Sequence, residues 1–426
     1  MRLLLIGSGG REHAIAWKLS RSPHLETLYT SPGNGGTAAL GMNVPLAPTD
    51  VAGLLAAAKE RRVDLTFVGP EMALEAGVVD QFQAAGLRIC GPTKAAAQIE
   101  TSKAFAKEFM ARHRIPTAQG VAFDSYGEAR RFLDSRDGPI VVKADGLAAG
   151  KGVMVCRNRA EAVSALDLCM EQKAFGDAGS TVVIEECLEG PEVSVFAFTD
   201  GIHVSPLVAA CDYKRALDGD QGPNTGGMGS YSPPEFWDEH LRRDADLRFV
   251  RPAIEGMAAE GRPFQGVLYC SLMLTKSGPK VIEFNARLGD PETQVVLPRL
   301  EGDLVEIAQA VAEGALDKAR VGWNANTCVG VVMVSQGYPD AYENGYPIFG
   351  LAEAQRQALV FHAGTRLQDN VALTAGGRVL TVVGSGPSYM EARSEAYRAV
   401  DQIRFQNAAY RKDIGVRALQ RREVQG

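Results

Sequence analysis

The sequence predicts a multi-domain protein of mixed α/β and α+β class. Its 426 residues exceed one ordinary core, and a prior of about 150 residues per domain gives roughly three domains. Hydrophobic residues make up 46% of the chain and charged residues 23%, as in typical globular proteins. The first part of the chain alternates short apolar runs with helical stretches, a pattern typical of a parallel sheet covered by helices.

The first domain is predicted to be a doubly wound parallel sheet. Its strands are expected at residues 3–6, 27–30, 65–68 and 87–90, and a helix at residues 51–61. After this sheet a helix-rich stretch is predicted to run to about His113, because Pro116 marks a break. The N-terminal domain should therefore give way to a second unit near residue 100.

The middle of the chain is predicted to combine a small subdomain, a long loop and a hairpin. A strand and helix unit covers about residues 117–190. A glycine-rich loop is expected at about residues 209–234, and a loop this long inside a compact domain is usually functional or disordered. Two strand-like runs at 266–275 and 280–286 are joined by a turn. The tail, with strands at 328–334, 359–362 and 378–383 and a helix at 388–403, indicates a smaller α+β domain.

Composition argues against nucleic acid and membrane partners. The net charge of -6 provides no general basic field for nucleic acid. No apolar stretch approaches the ~20 residues that span a bilayer, and the apolar start is too short for a signal peptide. The seven cysteines are scattered without a CxxC pair, as expected of small core residues in a reducing compartment. We therefore expect a cytoplasmic protein.

The first motif that could carry chemistry is a glycine-rich turn between a predicted strand and helix. Gly9, Gly10 and Arg11 lie in it, and the third glycine of a dinucleotide fingerprint is replaced by Glu12. The second strand also lacks the acidic residue that would hold a ribose, so NAD binding is disfavoured. The turn is still suited to an anion at a helix N-terminus, unless it is only a close-packed turn without a ligand.

A second motif follows the apolar strand that ends at Lys143. An ammonium group is costly to bury there without an anionic partner, and the next residues, up to Gly152, are almost all small. Such a loop can lay backbone N–H groups against phosphates. It is not a Walker A loop, because Asp145 and Gly152 occupy the positions of its first glycine and its hydroxyl. The alternative is a flexible hairpin loop with solvated lysines.

Two further motifs place acidic residues at strand ends. The run at 182–192 leads from an apolar strand into Glu185, Glu186 and Glu192, and by itself it is better explained as a solvated turn with ordinary acidic residues. The run at 280–294 is more specific, because period-2 alternation puts Glu283, Asn285 and Arg287 on one face. A carboxylate and an amide oxygen suit Mg²⁺ beside phosphates, and the guanidinium suits an anionic substrate. The alternative is a salt-bridged strand end.

Together these motifs resemble the glycinamide ribonucleotide synthetase family of the ATP-grasp superfamily. The match rests on segments across nearly the whole chain, which include GSGGREHA, SPGNGGTA, FVGPE, VVKADGLAAGKGV, VIEECLEGPEVS, DYKR, GPNTGGMGSYSP, VIEFNARLGDPETQ and RKDIG. The resemblance implies a Rossmann-like pre-ATP-grasp domain at 1–100, a two-part ATP-grasp domain at 101–326 with its lid subdomain at about 117–190, and a small C-terminal α+β domain at 327–426.

The resemblance also implies roles for individual residues. It assigns ATP contacts to Lys103, Lys143, Gly150, Lys151, Gly152, Glu185, Glu186, Leu188 and Glu192. It assigns Mg²⁺ (or Mn²⁺) to Glu283 and Asn285. The substrates are expected at Gly9, Gly10, Arg11, Asn34, Asn224, Thr225, Gly226, Gly227, Met228, Arg287, Asp290, Pro291 and Glu292. The catalytic side chains are expected to be Arg287, Lys143, Asp212 and Lys214.

The activity implied by the resemblance is that of an ATP-dependent carboxylate–amine ligase of purine biosynthesis. ATP would phosphorylate the carboxylate of glycine, and the amine of 5-phosphoribosylamine would attack the acyl phosphate to give glycinamide ribonucleotide, ADP and phosphate. We expect a monomer, or at most a weak dimer. The alternatives are an ATP-grasp carboxylase acting on bicarbonate and a non-catalytic nucleotide-binding protein. The chain departs from the family pattern at Ser8, Tyr213, Ala286 and Leu288, none of which removes a proposed charge or metal ligand.

Overall fold

The computed structural model describes residues 1–148 and 152–425, with side chains as far as residue 420. The N-terminal region is a parallel sheet of five strands in the order β3-β2-β1-β4-β5. The strands are β1 Arg2–Gly7, β2 Thr27–Pro32, β3 Met42–Asn43, β4 Leu65–Val68 and β5 Ile89–Cys90. Helices α1 Gly10–Leu19, α2 Val51–Glu60, α3 Glu71–Glu75 and α4 Val78–Ala84 accompany it. The predicted doubly wound sheet is confirmed, while the short, exposed strand β3 was missed.

Two helices connect this sheet to the rest of the molecule. They are α5 Lys94–Thr101 and α6 Lys103–Arg112. Ser102 between them is extended, and its hydroxyl accepts a hydrogen bond from the Phe105 amide, which caps α6. The predicted helix-rich stretch is therefore two helices with a break at Ser102.

A four-stranded antiparallel sheet forms the small subdomain predicted at 117–190. Its order is β6-β9-β7-β8, and it has its own apolar core beneath two helices. The elements are β6 Gly120–Phe123, α7 Tyr126–Asp134, β7 Ile140–Ala144, β8 Val153–Cys156, α8 Arg159–Leu166 and β9 Val182–Glu186.

The largest sheet crosses the boundary predicted at residue 327. Its order is β16-β15-β10-β11-β14-β19-β23-β20, with β24 paired to β19. These strands are β10 Glu192–Asp200, β11 Val208–Asp212, β14 Gly229–Ser232, β15 Gln265–Thr275, β16 Gly278–Asn285, β19 Thr327–Ser335, β20 Leu359–His362, β23 Arg378–Gly386 and β24 Ala408–Ala409. Because β14 pairs with β19, the C-terminal segment extends the sheet of the central region.

Shorter elements complete the described chain. The two-stranded pairs are β12 Arg215–Leu217 with β13 Gln221–Asn224, β17 Leu300–Glu301 with β18 Gly322–Trp323, and β21 Thr365–Gln368 with β22 Val371–Thr374. The remaining helices are α9 Glu239–Ala245, α10 Arg251–Ala259, α11 Thr293–Val296, α12 Leu304–Glu313, α13 Leu351–Gln355, α14 Tyr389–Val400 and α15 Val416–Gln425. Among the described residues, no helix has the length and apolar character needed to cross a bilayer.

The prediction of a long loop at 209–234 was wrong. This segment contains the end of β11, the hairpin β12–β13 and all of β14. Its glycines and prolines disfavour strands locally. Here, however, β14 is held between β11 and the distant strand β19, so tertiary pairing overrides local propensity.

The predicted hairpin at 266–286 is confirmed, with an irregularity that matters for the site. The register of β15 and β16 shifts between Ser271 and Leu272, so Ile282 is an extra residue between Val281 and Glu283. Val281, Phe284 and Ala286 pack in the core, which leaves Glu283 and Asn285 on the opposite face. Arg287 lies beyond the end of the strand.

Candidate active site

A cavity of about 1080 Å³ lies where the N-terminal sheet, the small subdomain and the large sheet meet. Polar side chains predicted from sequence make up much of its wall. They are Arg11, Lys103, Lys143, Glu185, Glu186, Glu192, Asp212, Lys214, Asn224, Thr225, Glu283, Asn285, Arg287, Asp290 and Glu292, together with Gly152, Leu188 and Gly226. Segments far apart in sequence therefore converge on one site.

Several predicted substrate residues lie outside this wall. Gly9, Gly10, Asn34, Gly227, Met228 and Pro291 do not line the cavity. Gly150 and Lys151 fall outside the residues that the structure describes. The ATP contacts given to Gly150 and Lys151 and the substrate roles given to the other residues stay predictions.

The glycine-rich turn before α1 is occupied by the chain's own carboxylate. The Gly9 amide donates to Glu12 Oε2 at 2.6 Å, and a Cβ at Gly7 would lie 2.4 Å from Glu12 Cγ. Asn34 is similarly occupied, because its Nδ2 donates to the carbonyl oxygens of Ser8 and His362. Glu12 thus lies at the N-terminus of α1, where a dinucleotide phosphate would approach the helix.

Buried lysines and Glu185 form one end of the cavity. Lys143 forms an ion pair with Glu185 and donates a hydrogen bond to the Ile282 carbonyl at 3.2 Å. Lys107 Nζ lies 2.6 Å from the other oxygen of Glu185. Because this carboxylate is shared by two cations, it satisfies the requirement that a buried ammonium group have an anionic partner.

The base of the loop that follows Lys143 is fastened to helix α6. Asp145 Oδ1 accepts a hydrogen bond from the Ala104 amide at 2.6 Å, and its carboxylate also accepts from the Ser102 hydroxyl. Lys103 Nζ donates to the carbonyl oxygens of Asp145 and Gly146 at 3.3 and 3.1 Å. Lys103, which is assigned to phosphate binding, and the base of the loop are therefore held together at the start of helix α6.

Glu283 and Asn285 form a polar pair on the β16 face of the cavity. Burial disfavours ionisation of Glu283, but the positive charges of Lys143, Lys214, Lys103 and Arg287 outweigh burial and lower its pKa. Among the described residues, the buried Asn285 Nδ2 has no hydrogen-bond partner. The nitrogen and oxygen of an amide side chain can be exchanged by a flip, so this position without a partner can hold the Asn285 oxygen. A carboxylate and an amide oxygen on one face fit a divalent cation.

Carboxylates dominate another wall of the cavity. Lys214 forms an ion pair with Glu192. Glu292 Oε1 accepts hydrogen bonds from Tyr269 at 3.0 Å and from Ser194 at 3.1 Å. Burial raises the pKa of Asp212 to about 7, although Lys214 opposes the shift. A carboxyl group that titrates near neutrality can exchange a proton with a bound amine.

The cavity also contains residues that the sequence analysis missed. Glu71 and Glu100 both pair with Arg287, and Arg378 bonds to the carbonyl oxygens of Gly226 and Asp290 at 2.6 and 2.8 Å. Glu71 lies three residues beyond the carboxyl end of β4, a place where ligands of parallel sheets often bind, so its position offered a signal. Arg378 offered none, because its contacts depend on how the C-terminal segment folds back.

Models of three domains of one protein family match the chain. The phosphoribosylglycinamide synthetase N domain matches residues 1–100, its ATP-grasp (A) domain matches residues 101–293 and its C domain matches residues 328–417.

Full-length relatives agree with this assignment. The phosphoribosylamine–glycine ligase of Halalkalibacterium halodurans is 48% identical over 425 residues, which cover 100% of this chain and 99% of the relative. The enzyme of the same name from Escherichia coli O6:H1 is 50% identical, with 99% of this chain and 100% of the relative covered.

Solved structures place the fold in the same group. The crystal structure of phosphoribosylamine–glycine ligase from Thermotoga maritima has a TM-score of 0.84 and 34% identity, covering 97% of this chain and 100% of that one. The biotin carboxylase domain of the Hydrogenobacter thermophilus 2-oxoglutarate carboxylase has a TM-score of 0.71 at 14% identity, with 96% and 91% covered, which is a likeness of fold alone. The chain is therefore a member of the phosphoribosylglycinamide synthetase family, and it has that family's ATP-grasp fold.

Proposed function

We propose that this protein is a phosphoribosylamine–glycine ligase, an ATP-dependent ligase of purine biosynthesis. It joins glycine to 5-phosphoribosylamine and converts ATP to ADP and phosphate. The observation that carries the proposal is the full-length match to enzymes of this name at 48 to 50% identity. The cavity supports it, because lysines, a carboxylate–amide pair and a group of carboxylates face one space.

The lysine end of the cavity is assigned to ATP. Lys103 and Lys143 would exchange their present partners for phosphate oxygens and neutralise their charge. Glu186, Leu188 and Glu192 border the same space and would contact the nucleoside. Glu185, between Lys143 and Lys107, is better placed to hold the lysines than to bind the ribose.

The metal assignment falls on Glu283 and Asn285. Hard oxygen ligands from a carboxylate and an amide suit Mg²⁺ or Mn²⁺ better than a soft metal. Such an ion, when bound, would supply positive charge beside the phosphates. The lowered pKa of Glu283 keeps this ligand ionised at neutral pH.

The reaction requires two successive displacements. A carboxylate oxygen of glycine attacks the γ-phosphorus of ATP, which gives glycyl phosphate and ADP. Arg287 and Lys143 would stabilise negative charge during this step. The nitrogen of phosphoribosylamine then attacks the carbonyl carbon, the bond from carbon to phosphate oxygen breaks, and phosphate leaves. Asp212 would accept the proton that the nitrogen loses, with Lys214 beside it.

The wall that carries Asp212 and Glu292 suits a substrate with an amine or ammonium group. Both glycine and phosphoribosylamine carry one. Bicarbonate carries none, so this wall does not favour the carboxylase alternative, for which the structural likeness extends only to the fold. We further propose that the protein acts as a monomer or weak dimer in the cytoplasm and needs no nucleic acid or membrane.

Substrate dependence of ADP release tests the proposal. The full chain is assayed with ATP, Mg²⁺, glycine and phosphoribosylamine formed in situ from ribose 5-phosphate and ammonia. We expect steady ADP release only when both co-substrates are present, and its loss in Lys143→Met but not in Lys276→Met, which changes an exposed lysine in the β15–β16 turn. ADP release that follows bicarbonate instead of glycine would reject the ligase assignment.

A further inference from the structure

Arg287 is held by two carboxylates that come from outside the strand that leads to it. Its Nε lies 3.0 Å from Glu71 Oε2, and its Nη2 lies 2.8 Å from Glu100 Oε1. The third nitrogen, Nη1, donates to the Leu288 carbonyl at 3.3 Å. Because all three nitrogens have partners in fixed directions, the plane of the guanidinium is set by the protein before any substrate binds.

Glu100 links the side chain of Arg287 to the backbone of the preceding residue, Ala286. Its Oε2 accepts a hydrogen bond from the Ala286 amide at 2.7 Å, while Oε1 faces Arg287. Burial raises the pKa of Glu100 to about 7, and the charge of Arg287 opposes that shift. Helix α5 therefore fixes both the peptide before Arg287 and one side of its guanidinium.

Glu71 brings the N-terminal sheet into the same contact. It is the first residue of α3, shortly after β4, and its Oε2 also lies 3.7 Å from Arg11 Nη1. Arg11 in turn is held by Glu12 at 2.5 Å and by the Leu288 carbonyl at 3.2 Å. One carboxylate thus separates two guanidinium groups that would otherwise repel each other.

These contacts lie at the wall of the cavity. Arg11, Glu71, Glu100 and Arg287 all border it, so the ion pairs are part of the site and not of a remote surface. A long arginine that extends beyond the end of a strand would otherwise sample several rotamers, and ordering it costs entropy. Ion pairs with two carboxylates order the Arg287 side chain before the reaction, so this entropy is not lost during the chemical step.

We propose that Glu71 and Glu100 are positioning residues that hold Arg287 in the orientation needed for the ligase reaction. The inference rests on the function proposed above and deepens it. It makes the N-terminal sheet, through Glu71, a contributor to the chemical step as well as to the wall of the site. We assign neither carboxylate a contact with the reacting atoms, so each is expected to affect the chemical step through Arg287.

A double-mutant cycle on kcat tests this proposal in the full chain. We expect Glu71→Ala and Glu100→Gln each to lower kcat by about 10- to 100-fold, as when a catalytic group is displaced by about 1 Å. The KM for ATP should stay within about twofold, because the ATP end of the cavity is untouched. Glu71→Gln, which keeps an acceptor for Nε, should recover part of the loss. The matched control is Glu75→Ala, which changes an exposed carboxylate at the end of the same helix.

The decisive comparison uses Arg287→Ala. If Glu71 acts through Arg287, then Glu71→Ala should cause no further loss of kcat in the Arg287→Ala background. Unchanged kcat in Glu71→Ala and Glu100→Gln, or multiplicative losses in the double variant, would overturn the positioning role. Thermal unfolding of each variant excludes misfolding, and Glu71→Gln serves in the cycle if the alanine variant does not fold. A wild-type chain that is inactive with glycine and phosphoribosylamine would overturn the proposed function instead.

Discussion

Charged side chains in the cavity lie mostly in pairs of opposite charge. Lys143 lies against Glu185, Lys214 against Glu192 and Arg378 against Asp290. Lys143 and Glu185 are buried, and a buried charge without a partner would cost several kcal/mol, so this pair is needed for the empty site to be stable. They also imply that substrates enter by exchanging partners, because phosphate or carboxylate oxygens must replace protein carboxylates around the same cations.

Glu283 is the residue whose loss should be most costly to catalysis. We expect Glu283→Ala to lower kcat by more than about 100-fold, the upper end of the loss seen for groups that only support metal ligands. The reason is that Glu283 supplies the only carboxylate of the proposed metal pair. The measurement is steady-state ADP release across a Mg²⁺ titration, with Glu353→Ala, an exposed change on α13, as the control. Unchanged turnover of Glu283→Ala at saturating Mg²⁺ would refute the metal assignment.

Sequence reasoning found the residues of this site that share one strand or one loop. Alternation along β16 was enough to place Glu283 and Asn285 on one face. It was not enough for Glu71 and Glu100, because their relation to Arg287 depends on the packing of α3 and α5 against the end of β16. No local pattern encodes such a contact over more than a hundred residues.

At the scale of elements, the glycine-rich segment before β14 packs directly on the turn that carries Asp290. Gly227 has φ +110°, and a Cβ at this position would lie 2.4 Å from Pro291 Cδ. Thr225 and Met228 on either side bond to the backbone of Lys214 and Tyr213. The glycine therefore permits close contact between two segments that border the site.

Gly227→Ala should damage both stability and activity. We expect a loss of more than about 2 kcal/mol in the free energy of unfolding, because backbone strain of ~1–3 kcal/mol is added to the clash with Pro291. Gly219→Ala is a matched control, since Gly219 also has a positive φ of +67° but nothing lies within 4 Å of its Cβ position. Chemical denaturation of both variants measures the difference. Equal losses would show that the backbone conformation at residue 227, and not its contact with Pro291, requires a glycine there.

Elements with strong local signals were predicted well, and those that depend on distant partners were not. The β15–β16 hairpin and strand β20 followed from local pattern, as did α14 to within a few residues. Strand β14 did not, because it is short and is stabilised by pairing with β19, far along the chain. Strands β12 and β13 pair with each other, but they have only 3 and 4 residues, which is too short for a clear alternation. Their sequence is indistinguishable from that of a loop when read alone.

At the scale of the whole molecule, the N-terminal and C-terminal segments meet at a buried pair of histidines. The His362 amide donates to His13 Nδ1 at 2.7 Å, and the two rings pack edge to face at 5.5 Å. Burial lowers the pKa of His13 to about 3, with a further contribution from His362, and burial lowers the pKa of His362 to about 4. Both rings are therefore neutral in the folded protein at neutral pH.

This contact predicts acid sensitivity of the folded state. Because each folded pKa lies below the ordinary value of 6.5, the stabilisation is complete above pH 6.5 and is lost as pH falls toward 3. At pH 5 each histidine should lower the free energy of unfolding by about 2 kcal/mol relative to its value at neutral pH. His13→Gln keeps an acceptor but does not titrate, so its urea midpoint should depend less steeply on pH between 5 and 7 than that of the wild type. The exposed His240→Gln should not change this slope, and a wild-type slope in His13→Gln would contradict the account.

The division into three domains at residues 100 and 327 stays a prediction. The large sheet continues across residue 327 through the pairing of β14 with β19, and Arg378 reaches from the C-terminal segment into the cavity. Composition and pattern indicated the class of each part correctly, but they contain no information about which strands of different parts share a sheet. The site is consequently a property of the whole chain.

In the proposed reaction, glycine is activated through its carboxylate as an acyl phosphate. Glycine labelled with ¹⁸O in both carboxylate oxygens tests it, because the carboxylate oxygen that attacks ATP leaves with the phosphate when the amine displaces it. We expect one ¹⁸O atom in each inorganic phosphate formed with ATP and phosphoribosylamine, measured by mass spectrometry or ³¹P NMR, and one ¹⁸O retained in the amide product. Phosphate free of ¹⁸O, released at the rate of ADP, would contradict the account.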